Sequence, residues 1–197
     1  MEHVANQVIG ISAVSGGGKT ALTRKLAELL RDSVALYFDD YDESSIIPDF
    51  LPWFEDGADY DAFEKPVFTD HILSLKSGNA VTYPGGLQIE PAKYILVDAP
   101  MGRVHADSGR YIDFMVYIDT PLDIAMARRL SRELSLEPDQ SPSETVASIK
   151  ADADGYPARA RPIYVAGVER IKPTCDLVLD GTKSLDELAS AVISNLT

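Results

Sequence analysis

The sequence contains a single cysteine, Cys175, among 197 residues. One cysteine excludes an internal disulfide, and it predicts no metal cluster built on cysteine ligands. The sequence also lacks any apolar run near the roughly 20 residues that a membrane-spanning helix requires. Met1–Asn6 has no basic region, and the apolar residues after it run into glycines, which predicts a strand and not a signal peptide. We therefore expect a cytoplasmic protein without a membrane partner.

Basic residues are scarce as well. The chain has 18 lysines and arginines against 31 aspartates and glutamates, which gives a formal net charge of −13. Such a surface repels nucleic acids and anionic membranes, so neither is an expected partner. A local cluster of backbone amides and basic side chains can still bind an anionic small molecule. A homo-oligomer is compatible with this composition, which does not itself predict one.

Five short apolar segments alternate with helical patterns along the chain. Because each segment is nearly continuously apolar, it is typical of a strand that is covered on both faces of a parallel sheet. The alternation of strands and helices predicts a doubly wound α/β domain. The predicted strands are Gln7–Val14, Val34–Phe38, Tyr94–Val97, Phe114–Ile118 and Asp176–Leu179, and the predicted helices are Lys19–Arg31, Leu122–Leu134 and Ser184–Leu196.

The region between the second and third strands interrupts this alternation. Asp39–Asn79 is rich in acids, aromatic residues and prolines, with a short helix predicted at Thr69–Lys76. Ala80–Pro91 contains the residues Tyr83-Pro84-Gly85-Gly86, which predict a turn between two short extended pieces. A later segment, Ser135–Ser143, carries two prolines and is expected to form a loop between two helices.

The residues after the first predicted strand match a phosphate-binding loop, with Ala13 in place of the motif's first glycine. Glycines let successive backbone N–H groups face one point, and the helix that begins near Lys19 adds its positive end. Lys19 would reach the outer phosphates of a nucleotide, and the Thr20 hydroxyl would bind Mg²⁺. The alternative is a plain glycine-rich turn. The expected phosphate contacts are Ser15, Gly16, Gly17, Gly18, Lys19, Thr20 and Ala21.

Acidic residues follow the second and third predicted strands. Asp39 and Asp40 come directly after Val34–Phe38, and Asp98 comes after Tyr94–Val97. Because ligands gather at the carboxyl ends of strands in open α/β sheets, we expect one acid of the first pair to act as a base or to hold Mg²⁺ through water. Asp98 is typical of a carboxylate that supports Mg²⁺, and no second acid follows it, which favours a kinase over a hydrolytic motor. Solvated acids that cap turns are the alternative.

Arginines are concentrated on the helix predicted at Leu122–Leu134. Arg128 and Arg132 are one turn apart on one face, with Arg129 beside the first. A movable segment that carries these side chains can close over phosphates and stabilise charge in the transition state. The alternative is a solvated face on which Arg129 pairs with Glu133.

The ordered set of motifs resembles the uridine kinase and phosphoribulokinase group of P-loop kinases, which includes nicotinamide riboside and pantothenate kinases. It implies a three-layer α/β/α P-loop fold with five parallel strands in the order 2-3-1-4-5 and an insertion between strands 2 and 3. Only the phosphate loop is specific by itself. The similar segments are Ile9–Thr20, Phe38–Tyr41, Tyr94–Ala99, Phe114–Thr120, Pro121–Glu133, Arg161–Tyr164 and Val168–Leu179.

The resemblance also implies ATP and Mg²⁺ as cosubstrates and a hydroxyl of a small molecule as the acceptor. It places Asp39 at the position of the catalytic base, and it implies that Thr20 and Asp98 hold the metal. Lys19, Arg128 and Arg132 are then the catalytic cations, with Arg129 as a nucleotide contact. One domain over residues 1–197 is expected, with a substrate-covering insertion at about 40–92 and a lid at about 128–160.

Candidates for binding the acceptor come from the insertion and from the loop after the third strand. Asp61 lies in a segment that resembles the substrate side of these kinases, while Arg103 and His105 follow the third strand at the same sheet edge. A surface arginine and a lone histidine are more often structural. The full candidate set is Asp40, Tyr41, Asp61, Arg103 and His105.

The sequence departs from the family pattern at three places. Ala13 replaces a glycine, Asp98-Ala99-Pro100 replaces the usual Glu-Gly, and Asp42 and Glu43 stand where a basic residue is usual. The acidic mouth favours a neutral or cationic acceptor over a phosphorylated one. The main hypothesis is an ATP-dependent small-molecule kinase. A nucleotide-dependent switch or ATPase and a nucleotide-binding protein without catalysis are the alternatives.

Overall fold

A computed structural model of the chain describes residues 6–134 and 141–196. The strands are β1 (Gln7–Ser12), β2 (Ser33–Tyr37), β3 (Val81–Thr82), β4 (Gln88–Ile89), β5 (Tyr94–Asp98), β6 (Phe114–Asp119) and β7 (Leu177–Asp180). Five of them form one parallel sheet in the order β2-β5-β1-β6-β7, which is 2-3-1-4-5 when only the sheet's own strands are counted. The predicted α/β fold is confirmed.

The register of the sheet brings the predicted functional segments to one edge. β1 lies at the centre, where Ile11 is paired with Asp98 of β5. On the other side of β5, Tyr37 at the end of β2 is also paired with Asp98. Because the three strands are parallel and aligned, the segments that follow them all begin beside Asp98.

Helices cover both faces of the sheet. They are α1 (Lys19–Leu29), α2 (Phe50–Glu55), α3 (Pro66–Lys76), α4 (Ala106–Gly109), α5 (Leu122–Glu133), α6 (Pro142–Gly155), α7 (Ala160–Ile171) and α8 (Leu185–Ile193). On one face Leu22 and Leu26 of α1 pack with Leu188 of α8, and on the other Phe68 and Ile72 of α3 join a larger aromatic cluster. The strands are therefore buried from both sides, as their continuous apolar character predicts.

The insertion is mostly structured. The turn predicted at Tyr83–Gly86 joins two short strands, β3 and β4, which pair antiparallel. The helix predicted from Thr69 begins earlier, at Pro66, because proline fits the first turn of a helix, where its missing N–H has no partner to lose. A short 3₁₀ helix, Phe38–Ser44, continues directly from β2.

The loop expected at Ser135–Ser143 lies partly outside the described residues, which resume at Ser141. There Ser141 and Glu144 form a capping box, and Pro142 is the first residue of α6. Of the helices in the described ranges, none has the length and apolar character needed to cross a membrane.

Candidate functional site

The phosphate loop turns sharply between β1 and α1. Gly16 and Gly18 have φ values of 81° and 102°, a backbone form that L side chains rarely adopt and that curves the chain into an anion-binding nest. The loop is fixed from the opposite side, since the buried Thr120 hydroxyl donates to the Gly17 carbonyl over 2.8 Å. The helix then begins at Lys19, so its positive end points toward the loop.

Ala13 fits the first position of this loop without strain. It is not among the described residues with positive φ, which is the condition that an alanine requires there. Its methyl group occupies space that Gly17 leaves free, because a Cβ built on Gly17 would lie 2.6 Å from the Ala13 Cβ. The departure at position 13 is thus matched by the absence of a side chain at position 17.

Asp98 lies behind the loop as a buried carboxylate. The Thr20 hydroxyl donates to Asp98 Oδ2 over 2.6 Å, and Lys19 Nζ is 4.0 Å from Oδ1. Oδ1 is buried and has no hydrogen-bond partner in the described part of the chain. Burial raises the pKa of Asp98, while Lys19 and the hydrogen bond from Thr20 act in the opposite direction.

These groups suit a hard cation at the phosphates. A buried carboxylate oxygen without a donor, next to a threonine hydroxyl, offers the oxygen ligands that Mg²⁺ prefers. No group of three or more His, Cys, Asp or Glu side chains in the described ranges could hold a metal by itself. A metal here would therefore need oxygens from a nucleotide or water, as is usual for Mg²⁺ at phosphates.

Asp39 and Asp40 point to different surroundings. Asp39 lines a cavity of about 320 Å³ that Lys19 and Ser15 also line. Asp40 does not line it and instead accepts a hydrogen bond of 2.5 Å from the Tyr83 hydroxyl in the β3–β4 hairpin. Of the two acids that the sequence left as alternatives, the structure brings only Asp39 to the phosphate loop.

The α5 arginines differ in their relation to the loop. Arg129 packs against Gly16, and its guanidinium joins Asp152 of α6 over 2.6 Å and Tyr164 of α7 over 3.1 Å. Arg128 lies near Gly18 and donates to the Gly181 carbonyl over 3.3 Å.

The Arg132 side chain is exposed, one turn beyond Arg128 on α5. Two of the three predicted arginines thus lie at the loop. In the alternative interpretation Arg129 would pair with Glu133, but in the structure its ion-pair partner is Asp152.

Tyr41 and Asp61 do not line the cavity. Tyr41 is 1% exposed, and its hydroxyl bonds to His71 Nδ1 over 3.0 Å. Asp61 accepts from the Ala106 N–H over 2.7 Å, at the start of α4. Tyr41 and Asp40 thus bond within the insertion, whereas Asp61 connects the insertion to α4.

Arg103 and His105 also have structural contacts in place of the expected substrate contacts. Arg103 pairs with Asp176 over 2.7 Å and donates to the Thr174 carbonyl, which anchors the segment before β7. His105 is 1% exposed, with Nδ1 bonded to Ser108 and Nε2 to the Phe63 carbonyl. Neither side chain lines the cavity that contains Asp39, so the structure does not bring these two candidate substrate residues to it.

Comparison with known proteins finds relatives that align with almost the whole chain. The uridine kinase of Borrelia duttonii (strain Ly) is 30% identical over 186 residues, which cover 88% of this chain and 85% of that protein. The chain belongs to the uridine kinase family. The uridine kinase of Oceanobacillus iheyensis is 25% identical over 194 residues, covering 87% of this chain and 85% of the relative. No family profile matches the sequence.

A solved structure described as a possible uridine kinase from Bacillus stearothermophilus shares the fold. It superposes with a TM-score of 0.54 at 18% identity and covers 91% of each chain. At that identity the likeness concerns the fold alone. It agrees with the P-loop architecture of this uridine kinase family member.

The walls of the cavity were not foreseen from the sequence. They are largely aromatic and come from separate segments, namely Phe50 and Trp53 of α2, Tyr60 and Phe63 after it, Tyr117 of β6 and Tyr164 of α7. The sequence does show a high aromatic content in the insertion. This content indicates a buried aromatic patch, but it does not indicate that the patch faces a cavity.

Lys65 is a second feature that sequence reasoning missed in this family member. It is 1% exposed, and its ammonium donates to the Phe38 carbonyl over 2.9 Å and to the Asp42 carboxylate. The ammonium also lies 4.1 Å from the centre of the Phe38 ring. Both partners belong to the 3₁₀ helix that carries Asp39, so Lys65 holds that helix from both sides of Asp39.

We expect Lys65→Met to lower the turnover number about 10-fold without weakening ATP binding, since small displacements of a reacting group are costly. The Phe38 carbonyl would lose its donor and the Asp39 turn would shift. Lys76→Met is the matched control, because Lys76 forms a comparable pair with Asp113 at the far end of α3. Steady-state kinetics and a calorimetric ATP titration measure both variants. Equal losses of turnover in the two variants would contradict a specific effect on Asp39.

Proposed function

We propose that the chain is an ATP-dependent phosphotransferase whose acceptor is a hydroxyl group of a small molecule. The observation that carries this proposal is that Lys19 of the phosphate loop and Asp39 line one cavity. A cation for the phosphates and a carboxylate for the acceptor proton then flank the same space. The names of the uridine kinase relatives support the same reaction class.

The phosphate loop would hold the donor nucleotide. Backbone amides of Ser15–Ala21 and the Lys19 ammonium neutralise the β- and γ-phosphates. Thr20 and Asp98 are the residues that would hold Mg²⁺, which when bound neutralises charge on the phosphate oxygens.

Asp39 would act on the acceptor. Its carboxylate accepts the proton of the acceptor hydroxyl, whose oxygen forms a bond to the γ-phosphorus while the bond to the β,γ-bridging oxygen breaks. ADP leaves with the electron pair of that bond.

The α5 arginines would complete the transfer site. Arg128 and Arg129 already flank Gly18 and Gly16, and Arg132 is one turn further along the helix. With α6 they form the proposed lid, at about 128–160, of a single domain in which the insertion at about 40–92 covers the acceptor. Excluding water from the cavity would favour transfer to the acceptor over hydrolysis.

A panel assay tests this function. ADP release is measured with ATP or GTP against nucleosides, vitamins and sugars, each at millimolar concentration. We expect at least one neutral acceptor to raise ATP turnover 100-fold or more above the rate with water alone. Turnover without any acceptor effect would favour the switch or ATPase alternative, and tight ATP binding without turnover would favour a non-catalytic protein.

A further inference from the structure

The charged groups of the cavity are confined to one end. Among its lining residues, all of which are described, Lys19 and Asp39 are the charged ones, and both are close enough to Asp98 to act on its charge. The lining contains no arginine, histidine, asparagine or glutamine. An acceptor body that extends away from the phosphate loop therefore meets aromatic rings and aliphatic groups.

The aromatic wall is built as a rigid unit. Trp53 packs edge-to-face against Tyr60 and Phe63, with ring centres 5.3 Å and 5.1 Å apart. The indole N–H of Trp53 donates to the Asp59 carbonyl over 2.6 Å, so the ring has no donor left for a ligand. Arg170 lies 4.8 Å over the Tyr60 ring and donates to the Ala58 carbonyl, which fixes the wall from outside.

Phenol hydroxyls are the remaining polar groups of the wall. Burial raises the pKa of Tyr60 and Tyr117 above the ordinary value, so both stay neutral at physiological pH. The Tyr164 hydroxyl already accepts from Arg129. Single neutral hydroxyls can orient a ligand, but apart from Asp39, which is assigned to the reacting hydroxyl, the lining provides no carboxylate or amide side chain to bind a vicinal diol, and apart from Lys19 no cation for an anionic substituent.

The charges at the phosphate end of the cavity also disfavour an anionic acceptor. Asp39 would repel an anionic acceptor, and Lys19 is engaged by the donor phosphates in the proposed reaction. Desolvating a sugar's hydroxyl groups against aromatic rings without hydrogen-bond partners is costly, whereas burying an apolar body there is favourable at about 25 cal/mol per Å².

We propose that the acceptor is an uncharged alcohol with an apolar or aromatic body, which this cavity binds through that body and not through a vicinal diol. The proposal deepens the proposed function and rests on it for the identity of the reacting hydroxyl. It separates this chain from an enzyme that selects its substrate by the ribose hydroxyls.

The cavity contains a natural fluorescent probe. Trp53 is the chain's single tryptophan and lines the wall, so its fluorescence reports ligand binding without a label. The probes are uridine, 2′,3′-dideoxyuridine, D-ribose, uridine 5′-monophosphate and 3-phenylpropanol, each titrated into the full chain with and without ATP. The two uridines differ only in the diol.

We expect dideoxyuridine to bind within fivefold of uridine or more tightly, and 3-phenylpropanol to bind as well. Ribose and the monophosphate should bind at least fivefold more weakly than uridine. The proposal is overturned if uridine binds more than fivefold more tightly than dideoxyuridine, if ribose equals uridine, or if neither dideoxyuridine nor 3-phenylpropanol binds.

Two variants test whether the change in Trp53 fluorescence comes from binding at the aromatic wall. Ile163→Asn places an amide among the lining residues and should weaken binding of 3-phenylpropanol at least fivefold. Val178→Asn introduces an amide on β7 at a side chain that is 44% exposed and outside both the cavity and the proposed lid, and it should have no effect. Equal effects of the two variants would place the binding elsewhere and overturn the proposal.

Measuring ADP release with the same probes separates the proposed acceptor class from the proposed function. Binding in the expected order without any phosphoryl transfer contradicts the proposed function and leaves the acceptor class standing. Transfer that is fastest to ribose, or that requires the diol, supports the kinase and overturns the acceptor class.

Discussion

Asp39→Asn should lower phosphoryl transfer by about 100- to 10,000-fold, which is the range that a general base contributes. Asparagine keeps the shape of the side chain but accepts no proton at its amide. ATP affinity should change little, because Asp39 is not part of the phosphate loop whose amides would hold the nucleotide. Single-turnover transfer and a calorimetric ATP titration measure the two quantities separately.

Asp40→Asn is the matched control for this experiment. It makes the same chemical change at the neighbouring residue, whose oxygen can still accept from the Tyr83 hydroxyl after the substitution. We expect Asp40→Asn to stay within a few-fold of the unsubstituted chain. If Asp40→Asn is the slower of the two variants, the catalytic base is Asp40 and not Asp39. If Asp39→Asn loses ATP binding, Asp39 has a structural role.

Asp98→Asn should have opposite effects on activity and on stability. Transfer with Mg²⁺ and ATP should fall about 100-fold or more, because a carboxylate that supports the metal is lost. The thermal midpoint of the ligand-free protein at pH 7 should rise, since a buried charge whose hydrogen-bonding is incomplete becomes a neutral amide.

The pH dependence fixes the sign of the stability effect. Burial raises the folded-state pKa of Asp98, so the folded chain binds a proton more readily than the unfolded chain does. The unsubstituted protein therefore loses stability as pH rises through that folded pKa. The gain from Asp98→Asn should be present above it and should vanish below about pH 3.9, the ordinary aspartate value. Thermal denaturation followed from pH 3 to pH 8 measures this, and a lower midpoint for the variant at pH 7 would contradict it.

The parallel sheet was predictable because its strands are marked locally. Each strand is covered on both faces, so its apolar residues are continuous, as in Tyr94–Val97. The strand boundaries moved by at most two residues, and α3 began three residues early at Pro66 because proline suits a helix start. Such differences depend on caps and turns, which apolar periodicity does not record.

The phosphate end of the site was predictable for a similar reason. Lys19, Thr20 and Asp98 lie next to strand ends, and strand order alone brings them together. Arg103 and His105 also follow a strand end, but their positions are fixed by distant partners, such as Asp176, which is 73 residues from Arg103. No local pattern distinguishes a side chain with a remote structural partner from one that faces a ligand.

The aromatic wall could not be derived from any single segment. Trp53 and Tyr60 come from the insertion, while Tyr117 and Tyr164 come from β6 and α7. Their convergence depends on how the insertion and α7 pack against the sheet. Sequence periodicity states which residues are apolar, but it does not state that four separate segments leave a space between them.

α6 is attached to the protein differently from every strand of the sheet. It buries none of its residues, and it is held to α5 by the ion pair of Arg129 with Asp152 and by the hydrogen bond of Ser148 to Glu133. Dissolved salt screens such contacts near the surface, whereas it leaves the burial of apolar strands almost unchanged. The position of α6 should therefore respond to ionic strength while the sheet beneath it does not.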